Sequence, residues 1–399
     1  MMQTTRMESI SGRKGKKKGL ARAYRFTTLL TMFIQLSVLS GASAHADEPD
    51  SEWPLLENAL KQHISTHHIP GVAAAVVYDG QPVWQFAHGY AEQNKEVPVT
   101  LDTPFWIASV TKPFVAMTYL ALAHENSIDL EERAADTPDF TGLCEWLAST
   151  TIPFAAGMTC DPGITIDHIL KHQSNGEPGT TFMYNPILYS RLSRHLEHKL
   201  GAGVDAVEGR HNELGRQIEK RLLSPAGMTD TMGSMWDPQK ARVLQRMADG
   251  FNITPEDRLI KLAQPDKHIA GGAGIVSTVS DLVKFERYVM QGDVLPENVK
   301  DTLSRWPTFN DGSPAPYGYG WYFEKTGSHK LMWHSGWDPE NGYSAMYLRV
   351  PERQLALIIL ANSEAIYWDN SLTKAEIVKS PLASAFLADM ENVGGNHKK

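Results

Sequence analysis

The chain has 399 residues, 42% of them hydrophobic and 21% charged, with a formal net charge of −8. That composition excludes a disordered or fibrous protein and allows one large domain or two ordinary ones. The charge is uneven: residues 1–46 hold eight basic side chains and one acid, Glu8, so residues 47–399 carry 30 basic and 45 acidic residues. An acidic body of that kind argues against nucleic acid or an anionic membrane surface as partner.

In chain order, the basic stretch from Arg6 to Arg25 is followed by an apolar segment, Leu29 to Leu39, and then by Ser43-Ala44-His45-Ala46. A basic segment, a short apolar core and small residues at A-x-A spacing predict a signal peptide over 1–46. The apolar core is shorter than the about 20 residues that span a bilayer. The expectation is therefore an exported, periplasmic or secreted bacterial protein with no stable membrane insertion.

Trp53 to His68 places Leu55, Leu56, Leu60 and Ile64 at helical spacing. Gly71 to Tyr78 reads as a strand, Asp79-Gly80 as a hairpin turn and Pro82 to His88 as the returning strand. Pro104-Phe105-Trp106-Ile107-Ala108 leads into Ser109-Val110-Thr111-Lys112 and an apolar helical run, Pro113 to Ala123. A serine and a lysine three residues apart share one helix face, so hydroxyl and amine can meet. A serine hydroxyl needs such a base before it can act as a nucleophile.

From Ile128 to about Lys261 helical patterns replace strands, clearest at Ile164 to His172, Leu188 to Leu200 and Asn212 to Leu223. Cys144 and Cys160 could pair in one disulfide or remain separate buried thiols. Alternation returns at Gly271 to Thr278, before a helix from Ser280 to Met290. Strands are predicted at Gly318 to Phe323, Tyr343 to Val350 and Leu355 to Ala361, then a helix from Thr373 to Met390. Strands at both ends around a helical block predict an α/β domain, 47–127 plus 265–391, interrupted by an all-α insertion at 128–264, with 392–399 as a frayed tail. His63/His67 and His168/His172 are i,i+4 pairs without the H-E-x-x-H glutamate, so no metal is expected, nor any cofactor. No Gly-Lys-Ser/Thr follows Gly271–Gly274, which excludes a phosphate loop.

Three ordered motifs resemble the serine β-lactamase and DD-peptidase superfamily, in the branch of class C β-lactamases, D-alanyl-D-alanine carboxypeptidases, D-aminopeptidases and related esterases. They are Ser109-x-x-Lys112, Tyr184-Asn185-Pro186 and His334-Ser335-Gly336, supported by Leu223 to Thr231 and Tyr317-Gly318-Tyr319-Gly320-Trp321. The resemblance implies an antiparallel sheet flanked by helices with an inserted all-α domain. It assigns Ser109 as nucleophile, with Lys112 and Tyr184 moving protons. The backbone N–H groups of Ser109 and Trp337 would form the oxyanion hole, on an edge strand where His334, Ser335 and Gly336 line the cleft. Pro186 stands where the family has asparagine, which puts Asn185 one residue early as the substrate-binding amide. Histidine replaces the permanent positive charge of Lys-Thr-Gly, which weighs against β-lactams as native substrates. The expected activity is hydrolysis of a small ester or amide through an acyl-enzyme. Two alternatives stand beside it: a D-alanyl carboxypeptidase or D-aminopeptidase acting on cell-wall peptides, and a degenerate penicillin-recognising binding module.

Overall fold

Eight antiparallel strands form the central sheet, in the order β3-β2-β1-β12-β11-β10-β9-β8. The computed structural model describes residues 51–396 except 139, 152–157, 202–211, 236, 257, 266–270, 292–294 and 367–375. The expected signal peptide lies outside the described residues. Strands β1 (Gly71–Tyr78) and β2 (Gln81–Glu92) are the predicted hairpin, and β3 (Val97–Pro98) adds a short edge. Asp79 and Gly80 both take positive φ, 47° and 67°, as a two-residue hairpin turn demands. β2 runs beyond the predicted His88.

Two short strands lie off the main sheet: β4 (Phe105–Trp106) pairs with β7 (Val276–Ser277). A second pair, β5 (Phe251–Ile253) and β6 (Leu259–Lys261), falls inside the block read as wholly helical. β8 (Tyr317–Gly318), β9 (Trp321–Thr326), β10 (His329–Asp338), β11 (Tyr343–Val350) and β12 (Leu355–Ala361) complete the sheet. β11 and β12 are buried along their full length, which is why β12 reads as an unbroken apolar run and β11 as one broken only by Ser344 and Arg349. The first strand lies beside the last: β1 and β12 pair from Val72↔Ala361 to Tyr78↔Leu355.

One face of the sheet is covered by α1 (Pro54–His67) and the last helix, α12 (Pro381–Asn396). Trp53 and Phe386 stack at 5.4 Å, and the Asp389 carboxylate accepts the Leu56 N–H at the start of α1. α12 begins at Pro381 and not at Thr373, because Pro381 opens the helix and Ile377–Lys379 forms a separate 3₁₀ turn. The other face packs on α2 (Thr111–His124), buried from Thr111 to Leu122, and on further helices. Those between are α3 (Phe140–Ser149), α4 (Ile166–Leu170), α5 (Pro186–Ser190), α6 (Leu192–Leu200), α7 (Asn212–Ile218), α8 (Ser224–Ala226) and α9 (Ala241–Arg246). α10 (Val279–Gln291) and α11 (Glu297–Ser304) follow β7. Cys144 of α3 and Cys160 are joined in a disulfide, which settles the alternative left open by their spacing.

Candidate active site

Ser109 sits in a 3₁₀ turn, Ala108–Val110, that feeds directly into α2. Ala108 takes φ +46°, the left-handed region that disfavours a side chain. Strain of that kind persists only where neighbours hold it. Here the segment 271–277 does so on both sides. Ile107 N–H donates to Ile275 O at 3.2 Å, Ile275 N–H donates to Thr111 Oγ1 at 3.0 Å, and β4 pairs with β7.

Lys112 Nζ lies 2.8 Å from Ser109 Oγ and donates to Gly272 O at 2.7 Å. The Lys112 side chain is fully buried, and burial holds its pKa well below the usual lysine range. Burial thus favours the neutral amine, the form in which one N–H can go to Gly272 O while the lone pair accepts the serine proton. The Tyr184 hydroxyl donates to Ser109 Oγ at 2.9 Å, and Lys112 Nζ stands 4.9 Å from the Tyr184 ring centroid. Nucleophile, amine and phenol thus meet at one oxygen.

Gly272 was read from the sequence only as part of a re-entrant run, and its carbonyl went unnoticed because backbone acceptors leave no residue signature. The glycines themselves are the signal. A Cβ at Gly272 would lie 2.4 Å from Ser190 Oγ and 2.8 Å from Pro186 O, so only glycine lets this turn approach α5. The same logic applies at Gly320, where φ is +85° and a Cβ would lie 2.6 Å from Lys112 O and from Pro113. The Tyr-Gly-Tyr-Gly-Trp segment clamps the start of α2.

Gly336 comes equally close to the nucleophile's turn: a Cβ there would lie 2.3 Å from Ile107 O. β10 is not an edge strand, as expected, but third from the end of the sheet. Its pairing with β9 runs only from His329↔Thr326 to Trp333↔Tyr322, while β11 pairs on to Asp338. Ser335, Gly336 and Trp337 therefore form a local edge beside residues 107–109, although Ser335 is itself buried.

Two expected roles are corrected. His334 does not line the cleft: it is fully buried, with Nδ1 2.7 Å from Ser335 O and Nε2 3.1 Å from the Tyr317 hydroxyl. The carbonyl can only accept, so Nδ1 carries the proton and Nε2 accepts from Tyr317. Asn185 does not face substrate either. Its Oδ1 caps α5 by accepting from Leu188 N–H at 2.9 Å, and its Nδ2 lies 3.6 Å from Met158 Sδ. Pro186 beside it is the first residue of α5, a position that needs no backbone N–H. The asparagine–proline pair is a helix start.

His172, which in the sequence opens the family-like stretch His172-Gln173-Ser174-Asn175-Gly176 and is half of a rejected zinc pair, supports Tyr184. Its ring centroid lies 4.6 Å from that of Tyr184 and 4.7 Å from that of Tyr317, and its Nδ1 accepts the Asn185 N–H at 3.2 Å. His168, its supposed partner, instead completes a capping box with Thr165 at the start of α4. Among the described residues no group of three metal-ligating side chains gathers.

Burial, and next the Lys112 charge, lowers the pKa of both His172 and His334 well below the usual histidine range. All three bases are thus depressed in the folded state, so the unfolded chain binds more protons. Stability must then fall as pH drops, the histidines contributing from about pH 6.5 downward and Lys112 from about pH 10.5 downward. Each group contributes at most about 1.4 kcal/mol per pH unit. Urea unfolding should show a loss of about 2–3 kcal/mol from the two histidines between pH 7 and 5.5. A flat profile over that window would mean that these groups are charged in the native protein.

The model of the family described as Beta-lactamase matches residues 56–377. A D-aminopeptidase of Brucella anthropi is 25% identical over 327 residues, covering 77% of this chain and 59% of that protein. A D-aminopeptidase of Gluconobacter oxydans is 23% identical over 313 residues, covering 73% and 56%. The chain thus spans less than two thirds of these relatives' length. Among solved structures, the octameric penicillin-binding protein homologue of Pyrococcus abyssi superposes with a TM-score of 0.62 at 21% identity, covering 84% of this chain and 76% of that one. The D-amino acid amidase of Ochrobactrum anthropi gives 0.60 at 20% identity, covering 86% and 99%.

Proposed function

The chain belongs to the beta-lactamase family of serine hydrolases, and from that premise we propose that it cleaves short D-aminoacyl amides or peptides through a Ser109 acyl-enzyme. The observation that carries the reading is the meeting of Lys112 Nζ and the Tyr184 hydroxyl at Ser109 Oγ, at 2.8 and 2.9 Å. The D-aminopeptidase relatives support the substrate class.

In the first half-reaction the Ser109 proton passes to the neutral Lys112 amine as Oγ attacks the carbonyl carbon. Backbone N–H groups of Ser109 and Trp337 hold the developing oxyanion. Tyr184 passes a proton to the leaving nitrogen as the C–N bond breaks, and is reprotonated from Lys112. Water then attacks the acyl-enzyme, giving its proton back through the same pair, and the acid leaves with Ser109 restored. No step calls for a cofactor. Signal cleavage and work in a periplasmic or extracellular space complete the proposal.

A second reading, an esterase, draws on Asn185. With that amide used to cap α5, no side chain of the second motif reaches out to orient a substrate amide, and an ester requires less orientation. The test is hydrolysis of D- and L-alanyl and phenylalanyl p-nitroanilides beside p-nitrophenyl acetate, with fluorophosphonate labelling and Ser109→Ala. The proposal expects D-amide turnover, an adduct on Ser109 and no turnover in the variant. Ester turnover alone would establish the esterase. Absence of both label and turnover in a folded sample would leave a binding module.

A further inference from the structure

Away from Ser109, Lys112 and Tyr184, a cavity of about 170 Å³ opens between the end of α4, the end of α11 and the Gly318–Tyr319 turn. That is smaller than the about 300–1,000 Å³ of pockets for drug-sized ligands, and suits a molecule of one ring. Two aromatic side chains, Trp306 and Tyr319, line it, with Lys171, Arg305 and Thr302.

The charges there are unequal. The Asp167 carboxylate takes the Lys171 ammonium on one oxygen and the Tyr319 hydroxyl at 2.6 Å on the other. Lys171 also stands 5.1 Å from the Tyr319 ring centroid, so the ring is held in place from both sides. Arg305 is different: it is exposed, and its guanidinium makes no hydrogen bond or ion pair among the described residues. The wall therefore carries a planar cation without a hydrogen-bond or ion-pair partner among the described residues, beside two aromatic rings and with the Asp167 and Glu131 carboxylates acting on Tyr319. A guanidinium binds a carboxylate through two parallel N–H bonds, and the rings offer an apolar slot for what the carboxylate is attached to.

We propose that this cavity is a second ligand site, distinct from the catalytic serine, that takes a small aromatic carboxylate with its charge on Arg305 and its ring against Trp306 and Tyr319. Gly320, the next residue after Tyr319, abuts the backbone of Lys112, so the site sits on the segment that packs against the start of α2.

The test is calorimetric titration of the full chain with benzoate, using Ser109→Ala so that nothing turns over. One benzoate per chain is expected, with at least tenfold weaker binding of benzamide, at least tenfold loss in Arg305→Gln and only partial recovery in Arg305→Lys. Thr302→Tyr, which fills the cavity, should abolish binding while leaving the urea midpoint unchanged. Wild-type protein blocked at Ser109 by a fluorophosphonate should bind benzoate undiminished. Absence of binding, equal affinity for benzamide, indifference to Arg305→Gln, or loss of binding in the blocked protein would each overturn the proposal. The blocked protein also separates this site from the hydrolytic reading, since binding there does not need an active serine.

Discussion

Lys112→Met is expected to lower kcat/KM by about 10⁴-fold, the upper end for removal of a general base, while leaving the protein folded. The two side chains are similar in length, and the native amine is already buried and held toward its neutral form. Exchanging a buried neutral amine for a thioether therefore costs little packing. The acceptor left behind, Gly272 O, loses its N–H donor, a penalty of about 1–3 kcal/mol. Fluorophosphonate labelling of Ser109 should slow in parallel with turnover. Tyr184→Phe should cost less, about 10²–10³-fold, because the phenol relays a proton and is not its first acceptor. Steady-state kinetics on the two variants, with circular dichroism as the check on folding, decide the order. Equal losses would make the tyrosine the primary base. An unchanged rate in Lys112→Met would remove the lysine from the mechanism.

Gly336→Ala is expected to lower kcat by about 10²–10³-fold, although no reacting side chain is touched. The new Cβ would fall 2.3 Å from the Ile107 carbonyl, a backbone atom that cannot swing aside. Either β10 or the turn carrying Ser109 must move, which would disrupt the oxyanion hole proposed for the N–H groups of Ser109 and Trp337. Loss of one such donor costs about 2.7–4 kcal/mol of transition-state stabilisation. KM should change far less than kcat. Gly142→Ala is the control: it lies in α3 with nothing within 4 Å of the added methyl, and should leave activity unchanged. A full-rate Gly336→Ala enzyme would show that the oxyanion is held elsewhere.

Much of this site was legible because its side chains obey local rules. Ser109 and Lys112 are one helical turn apart, and Tyr184 follows its own motif at a distance the chain can fold back across. β11 and β12 were read at their observed bounds because both faces are covered and, apart from Arg349, which pairs with the buried Glu286, every residue is apolar, aromatic or small. What escaped was decided by tertiary contact. The proton on His334 is set by the carbonyl of its own neighbour and by Tyr317, and nothing in the His-Ser-Gly triplet announces that it is buried. Asn185 was expected at a substrate because it sits near a motif position, whereas its backbone begins a helix and its amide caps it. The Gly272 carbonyl is invisible in any residue pattern. The glycine-rich run was visible, and the close approach of α5 explains why it is there.

The pairing of β1 with β12 has a consequence in time. The hairpin of β1 and β2 can form early, but its other neighbour in the sheet is the last strand to be synthesised. β11 and β10, which carry the wall of the active site, also join β1 only through β12. Contacts this distant along the chain close slowly. The sheet thus cannot assemble from its first half, and a nascent chain stays threadable until residue 361 has left the ribosome. For a protein proposed to cross a membrane before it folds, the order of the strands acts as a delay.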